Sequence, residues 1–237
     1  MAYLDGFVGA VATGKKDAYT EYAATAAAIF KEHGATRVVE CWGDDVPDGK
    51  VTDFRRAVKA QDGDGVIFSW VEYPSKSARD AANAKMMNDP RMSQMMDDMP
   101  FDMTRLLYGG FAAILEEGRH GAMSYADGAV IPVPSANKQQ YRAFAERNAA
   151  LLKEYGALRV IDAWGDDVPE GESVDYKRAV LAEDAETIAY SWIEWPSKEA
   201  RDAGWARAMA DPRMMEGEMP FDGQRMIHGG FAMILDV

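Results

Sequence analysis

The chain has 237 residues, 48 % of them hydrophobic and 27 % charged, with a formal net charge of −13. That balance is ordinary for a soluble globular protein, and the acidity, with basic residues gathered in no stripe, argues against a nucleic-acid partner or an anionic membrane surface. No apolar run approaches the roughly 18 residues that suggest a membrane span, and the single cysteine, Cys41, excludes an intrachain disulfide and fits a reducing compartment. The opening Met1-Ala2-Tyr3-Leu4-Asp5-Gly6 has no basic stretch leading into an apolar one, which predicts no signal peptide and a cytoplasmic location.

In chain order, Tyr3 to Val11 is a short apolar run that predicts a strand. Lys15 to His33 carries Tyr19, Tyr22, Ala23, Ala26, Ile29 and Phe30 at steps of three and four, an amphipathic helix closed by Gly34. Thr36 to Trp42 predicts a second strand, and Asp44 to Gly49 turn chemistry. Phe54 to Ala60 is expected to extend that strand or form an extra one, and Val66 to Tyr73 is a strong strand. Ser75 is the expected N-cap of a helix reaching about Met87, ended by Asn88-Asp89-Pro90. A Met-rich loop follows, then a closing strand from Arg105 to Leu115.

The whole pattern then repeats. Trp42-Gly43-Asp44-Asp45-Val46-Pro47 returns 122 positions later as Trp164-Gly165-Asp166-Asp167-Val168-Pro169, and Ser69 to Lys76 returns as Ser191 to Lys198. Two residues drop out after Asp211-Pro212-Arg213-Met214, so that Met99-Pro100-Phe101-Asp102 matches Met219-Pro220-Phe221-Asp222. Two units, 1–116 and 123–237, are expected, joined by a short linker from Glu116 to Ala122. The order β-α-β-(β)-β-α-β suggests a ferredoxin-like α+β unit. Its strands are apolar on both faces, with Val66, Phe68 and Trp70 pointing one way and Ile67, Val71 and Tyr73 the other. Two tandem units can bury their second faces against each other, at the high effective concentration a linker provides.

Tyr3-x-Asp5-Gly6-Phe7-Val8, Arg37 to Trp42, Asp45 to Arg55, Phe68 to Lys76, Lys85 to Met92 and Tyr108-Gly109-Gly110-Phe111 resemble the YbaA-like family of small bacterial proteins, a family without an assigned function in the dimeric α+β barrel superfamily. The second unit departs in places, with Asp162-Ala163 for Glu40-Cys41 and His228 for Tyr108. The usual member is a single unit that would pair with itself. The resemblance therefore implies two tandem ferredoxin-like units forming a dimeric α+β barrel within one chain, a built-in pseudo-dimer, with further self-association open. The superfamily includes cofactor-independent oxygenases of aromatic substrates, haem-degrading enzymes and proteins with no known chemistry, so the resemblance carries over no catalytic residue.

Three carboxylate pairs sit inside apolar strands of both units: Asp5 and Asp127, Glu40 and Asp162, Glu72 and Glu194. A buried carboxyl is either paired or raised in pKa. Asp5, Glu40, Asp127 and Asp162 are therefore candidate acid/base residues, with ion pairing to Arg37, Arg56 or Arg105 and their copies as the alternative. Tyr3, Trp42, Trp70, Glu72, Tyr108, Trp164, Trp192 and His228 are candidate walls of a cleft between sheet and helices. No histidine recurs in both copies, so neither a metal nor another cofactor is expected, and Cys41 reads as a buried structural residue. The expected function is binding of a small apolar or aromatic molecule in that cleft. Cofactor-independent oxygenase or isomerase chemistry on a strand carboxylate, and a non-catalytic assembly module, are the alternatives.

Overall fold

The computed structural model of the chain describes residues 2–237, without the side chain of Met215. The first unit runs β1 (Tyr3–Ala12), α1 (Lys16–Glu32), β2 (Arg37–Asp45), α2 (Phe54–Ala57), β3 (Asp64–Tyr73), α3 (Lys76–Met86), α4 (Pro90–Asp97) and β4 (Leu107–Gly118). The second runs β5 (Tyr125–Pro134), α5 (Lys138–Glu154), β6 (Arg159–Asp167), α6 (Tyr176–Ala179), β7 (Glu186–Trp195), α7 (Lys198–Ala210) and β8 (Ile227–Asp236). Each unit forms a four-stranded antiparallel sheet, β2-β3-β1-β4 and β6-β7-β5-β8. The β2–β8 and β4–β6 pairings then join the sheets into one closed eight-stranded barrel. Closure removes every sheet edge. The architecture is the intrachain dimeric α+β barrel that the duplication implies.

Four local expectations change. Phe54 to Ala60 is not a strand. The Asp53 carboxylate accepts the Arg56 amide and caps the short helix α2, which turns Phe54 and Val58 inward. The Met-rich stretch is not all loop, because Pro90 at the first helical position, capped by the Asp89 carboxylate, starts α4. In the second unit the same Asp-Pro start, at Asp211-Pro212, yields a single 3-10 turn, Pro212–Met215, ahead of Gly217 with φ +86°. Asp44 and Asp45 are the last residues of β2 rather than a free turn, and β4 runs on to Gly118, through the start of the expected linker.

Along β3 the inward residues are Val66, Phe68, Trp70 and Glu72, and they describe the barrel interior from end to end. At one end α2 and α6 insert Phe54 and Tyr176, edge-on against Phe231 and Phe111 at 5.5 and 5.4 Å. Phe68 then stacks on its copy Tyr190 at 4.6 Å, and Trp70 on Trp192 at 4.5 Å, each pair meeting across the pseudo-two-fold axis. Glycine is needed beside the Phe68–Tyr190 stack. A Cβ on Gly6 would lie 2.9 Å from the Tyr190 ring and one on Gly128 2.7 Å from the Phe68 ring.

The far end is closed by charge. Arg37 donates to Glu194 at 2.6 Å and lies 3.4 Å from Glu72, while Arg159 donates to Glu72 at 2.7 Å and lies 3.2 Å from Glu194. All four are buried. The Trp70 and Trp192 indoles donate to Glu72 and Glu194 at 3.1 Å, and Asp236 and Glu116 take the outer faces of the two guanidiniums at 2.8 Å. Removing one member of such a ring strands the others as buried charge. Arg37→Met is expected to lower unfolding free energy in urea by about 3–5 kcal/mol, and replacing all four members with Met and Leu to recover most of it. A loss below about 1 kcal/mol for the single change would show that the ring is not what closes this end.

Candidate functional site

Strand register sorts the candidate carboxylates into three places. Leu4, not Asp5, stands opposite Glu72, and Glu40 stands opposite Ser69. Glu72 and Trp70, with Glu194 and Trp192, therefore face the barrel interior, whereas Asp5, Glu40, Asp127 and Asp162 face the helices. The expected cleft, with Trp70, Trp192 and Glu72 as walls around Asp5 or Glu40, does not exist as one space.

Glu72 belongs to the charge ring. Burial pushes its carboxyl up, but the hydrogen bonds and charge of Arg159, with Arg37, more than offset this and hold it below its ordinary value.

Asp5 lies under α3, whose buried Arg79 brings Nε to 3.2 Å at ion-pair distance. Arg79 also donates to Tyr3 at 3.1 Å and to Asp167 of the second unit at 2.8 Å, and Tyr3 donates to Asp166 at 3.0 Å. Gly110 makes room for this, since a Cβ there would collide with Arg79 and the Tyr3 hydroxyl. Burial raises the Asp5 carboxyl to about 7 against the opposing charge of Arg79. The second copy is better satisfied. Asp127 accepts Trp195 Nε1 at 2.8 Å, Trp205 Nε1 at 2.6 Å and Arg201 Nε at 2.8 Å. In the first unit Tyr73 and Asn83 replace the two tryptophans, and the buried Tyr73 hydroxyl and Arg79 Nε lack a hydrogen-bond partner.

Glu40 differs from the other two. It accepts the Tyr19 hydroxyl of α1 at 2.6 Å and the Ser69 hydroxyl of β3, and no Lys or Arg pairs with it among the described residues. Asp162 repeats the tyrosine contact with Tyr141 at 2.5 Å and stands opposite Ser191 in the register of β6 and β7. Burial raises both carboxyls, and the hydroxyl hydrogen bonds offset only part of the rise. Aromatic rings pack around the tyrosine that meets each carboxyl. Tyr19 lies 6.4 Å from Trp42 and meets Phe101 edge-on at 5.8 Å, and Tyr141 lies 6.0 Å from Trp164 and 5.9 Å from Phe221. Lys16 and Lys138 cover the outer faces of the two tryptophans at 5.2 and 5.1 Å. In the first unit an open groove of about 280 Å3 reaches Phe101 from the side of Ala10, Lys15 and Met99.

Trp42 and Trp164 thus stand near the unpaired acids, whereas Tyr3 belongs to the Asp5 cluster at the unit boundary. Tyr108, 51 % exposed, and the exposed His228 lie on the outside of their strands and wall nothing. Sequence reasoning misses Tyr19, Ser69, Phe101 and Arg79. Their copies Tyr141, Ser191, Phe221 and Arg201 hold the same places, so the repeat itself carried the signal. Cys41 is buried in the barrel, and its thiol is pushed up by that burial. Among the described residues no group of three or more His, Cys, Asp or Glu is placed to hold a metal ion. Among the described residues no helix is long and apolar enough to cross a membrane.

A family described as protein of unknown function (DUF1428) matches residues 2–103 and again 124–223. The chain belongs to this family. It is 64 % identical over 117 residues to the uncharacterized protein YbaA of Escherichia coli K12, an alignment spanning 49 % of this chain and 100 % of that one, and the YbaA of Shigella flexneri aligns equally. Among solved structures, a candidate monooxygenase from Lactobacillus acidophilus superposes with a TM-score of 0.62 at 11 % identity, over 100 % of this chain and 95 % of that one. An anthrone oxidase-like protein gives 0.54 at 12 % identity, over 99 % and 92 %. At these identities the likeness establishes the dimeric α+β barrel fold alone.

The shifted carboxyls predict opposite pH effects. Glu72 sits below its unfolded value, so its stabilisation is present above about pH 4.3 and lost as pH falls through its lower folded value. Asp5 is raised, so between about pH 4 and 7 the native state keeps a proton that the unfolded chain releases, and stability falls as pH rises through that window. A carboxyl-carbon NMR titration should place the Asp5 midpoint near 7, and Asp5→Asn should flatten the pH–stability profile there. A midpoint near the ordinary aspartate value of about 4 would overturn this.

Proposed function

We propose that each unit binds a small apolar or aromatic molecule between its sheet and its helices, over Glu40 in the first and Asp162 in the second. One observation carries this. Every other strand carboxyl singled out in the sequence lies at ion-pair distance from an arginine, whereas among the described residues these two meet hydroxyls instead, Tyr19 and Ser69 on Glu40 and Tyr141 on Asp162. Burial without a cation shifts a carboxyl toward its protonated form, and such an acid walled by aromatic rings suits a planar apolar ligand bearing one hydrogen-bond acceptor. The rings of Phe101 and Phe221 close the two spaces, so entry requires each to swing off its tyrosine.

Proton transfer in the same spaces is the second reading, favoured by the same raised carboxyls. Glu40 would give its proton to a ligand oxygen and take one back from a ligand carbon or hydroxyl, which is isomerase chemistry needing no cofactor.

The anthrone oxidase-like neighbour is named for an aromatic compound, and the probes follow that lead. In a thermal-shift screen of anthrones, naphthoquinones and hydroxynaphthoic acids, a hit at a hundred times its dissociation constant should raise Tm by about 5–10 °C. Two sites per chain are expected. Glu40→Gln should weaken one and Asp162→Asn the other, with the fold unchanged by circular dichroism. Phe101→Ala with Phe221→Ala, which opens both spaces, should tighten or speed binding. A double-alanine protein that stays folded and responds to no probe would sink the proposal.

A further inference from the structure

At the barrel end plugged by α2 and α6 lies an open groove of about 330 Å3, within the range of roughly 300–1,000 Å3 usual for small-molecule sites. Its sides come from equivalent segments of the two units, 51–59 and 173–181, so it lies across the pseudo-two-fold axis. The floor is tied across the unit boundary by Thr52, whose hydroxyl donates to the Ala179 carbonyl at 2.7 Å. Three cations line the groove, Arg56, Lys59 and Arg178, and no carboxylate does, in a chain of net charge −13. Asp53 and Asp175 sit buried behind it, each 3.2 Å from its arginine. Lys59 has no carboxylate partner among the described residues.

Two further observations single this groove out. Lys59 (φ 50°) and Leu181 (φ 51°) are the only non-glycine residues with positive φ among the described residues, and both stand on its lips. Each is the left-handed residue that ends its short helix, with Ala60 and Ala182 donating back to the Arg55 and Lys177 carbonyls at 2.8 Å, so the two lips are set by the same helix stop. The duplicated halves have also diverged here in a coordinated way. Lys59 is the counterpart of Leu181, and Val51 of Ser173. The Lys59 ammonium donates to the Ser173 hydroxyl across the unit boundary at 2.8 Å. The pseudo-two-fold axis carries that pair onto Leu181 and Val51, which are 52 % and 41 % exposed. Two identical units would make both ends alike. This chain has an ammonium and a hydroxyl at one end and two bare apolar side chains at the other.

We propose that this groove binds one small amphiphilic carboxylate per chain, its anionic head at Lys59 and Ser173 and its apolar body running to Val51 and Leu181. Arg56 and Arg178 flank it and add attraction for an anion. The site is separate from the spaces over Glu40 and Asp162 and does not depend on them.

Octanoate and its neutral analogue 1-octanol are the probes, titrated calorimetrically into the full chain. One saturable octanoate site per chain is expected, with 1-octanol weaker by about tenfold or more. Lys59→Asn and Leu181→Asn remove the head contact and the apolar end, and asparagine tolerates left-handed backbone better than most residues. Each should weaken octanoate by about tenfold with an unchanged melting curve. Glu40→Gln should leave octanoate binding as it was. No saturable octanoate heat, equal affinity for 1-octanol, or wild-type affinity in both folded asparagine variants would overturn the proposal. So would an octanoate affinity that follows Phe101→Ala and Phe221→Ala, which would assign the ligand to the sheet–helix spaces instead.

Discussion

The pairing of Arg37 with Glu194 and of Arg159 with Glu72 is the constraint on which the rest of the structure turns. Each arginine reaches across to the glutamate of the other unit, so the ring is complete only when both sheets stand in one register. A shift of one residue in β3 or β7 would send its glutamate to the helix side and leave the two guanidiniums to share a single glutamate between them. Hydrophobic packing alone would not enforce this so sharply, because the strands are apolar on both faces. The ring thus sets which face of each strand is barrel and which is helix interface, and with it which carboxyls stay free for other work.

That division explains the contrast between the three carboxylate pairs. Glu72 and Glu194 are parts of the frame, each held by the arginine of the other unit. Asp5 and Asp127 tie a helix to the sheet and, through Arg79 and Arg201, one unit to the β-strand ends of the other. Glu40 and Asp162 carry none of these loads. Burial raises both carboxyls, and hydroxyl groups rather than arginines meet them under α1 and α5.

Much of this was legible in the sequence. The 122-residue repeat implied two units, and strands apolar on both faces implied a partner for each sheet. Alternation also placed residues correctly within a strand, as with Phe68, Trp70 and Glu72. It could not say which face of one strand adjoins which face of the next, because that depends on registers such as Leu4 opposite Glu72. Hence Asp5 and Glu72 were expected together and lie on opposite sides of the sheet. The short helix α2 was missed because four residues show no helical period, and its cap, Asp53, resembles any turn aspartate. Arg79 was missed because a lone arginine on an amphipathic helix reads as solvent-facing, and only the barrel brings β6 of the other unit over it.

The barrel has a consequence for how the molecule holds together. Each unit alone exposes two strand edges, on β2 and β4 or on β6 and β8, and the other unit closes them. In a chain of one unit, closure is bimolecular, so the folded population depends on dilution. Here the short connection from Arg119 to Ser124 makes closure an intramolecular event at fixed effective concentration. The two halves stay joined on dilution, and each is free to accumulate substitutions that its twin does not share.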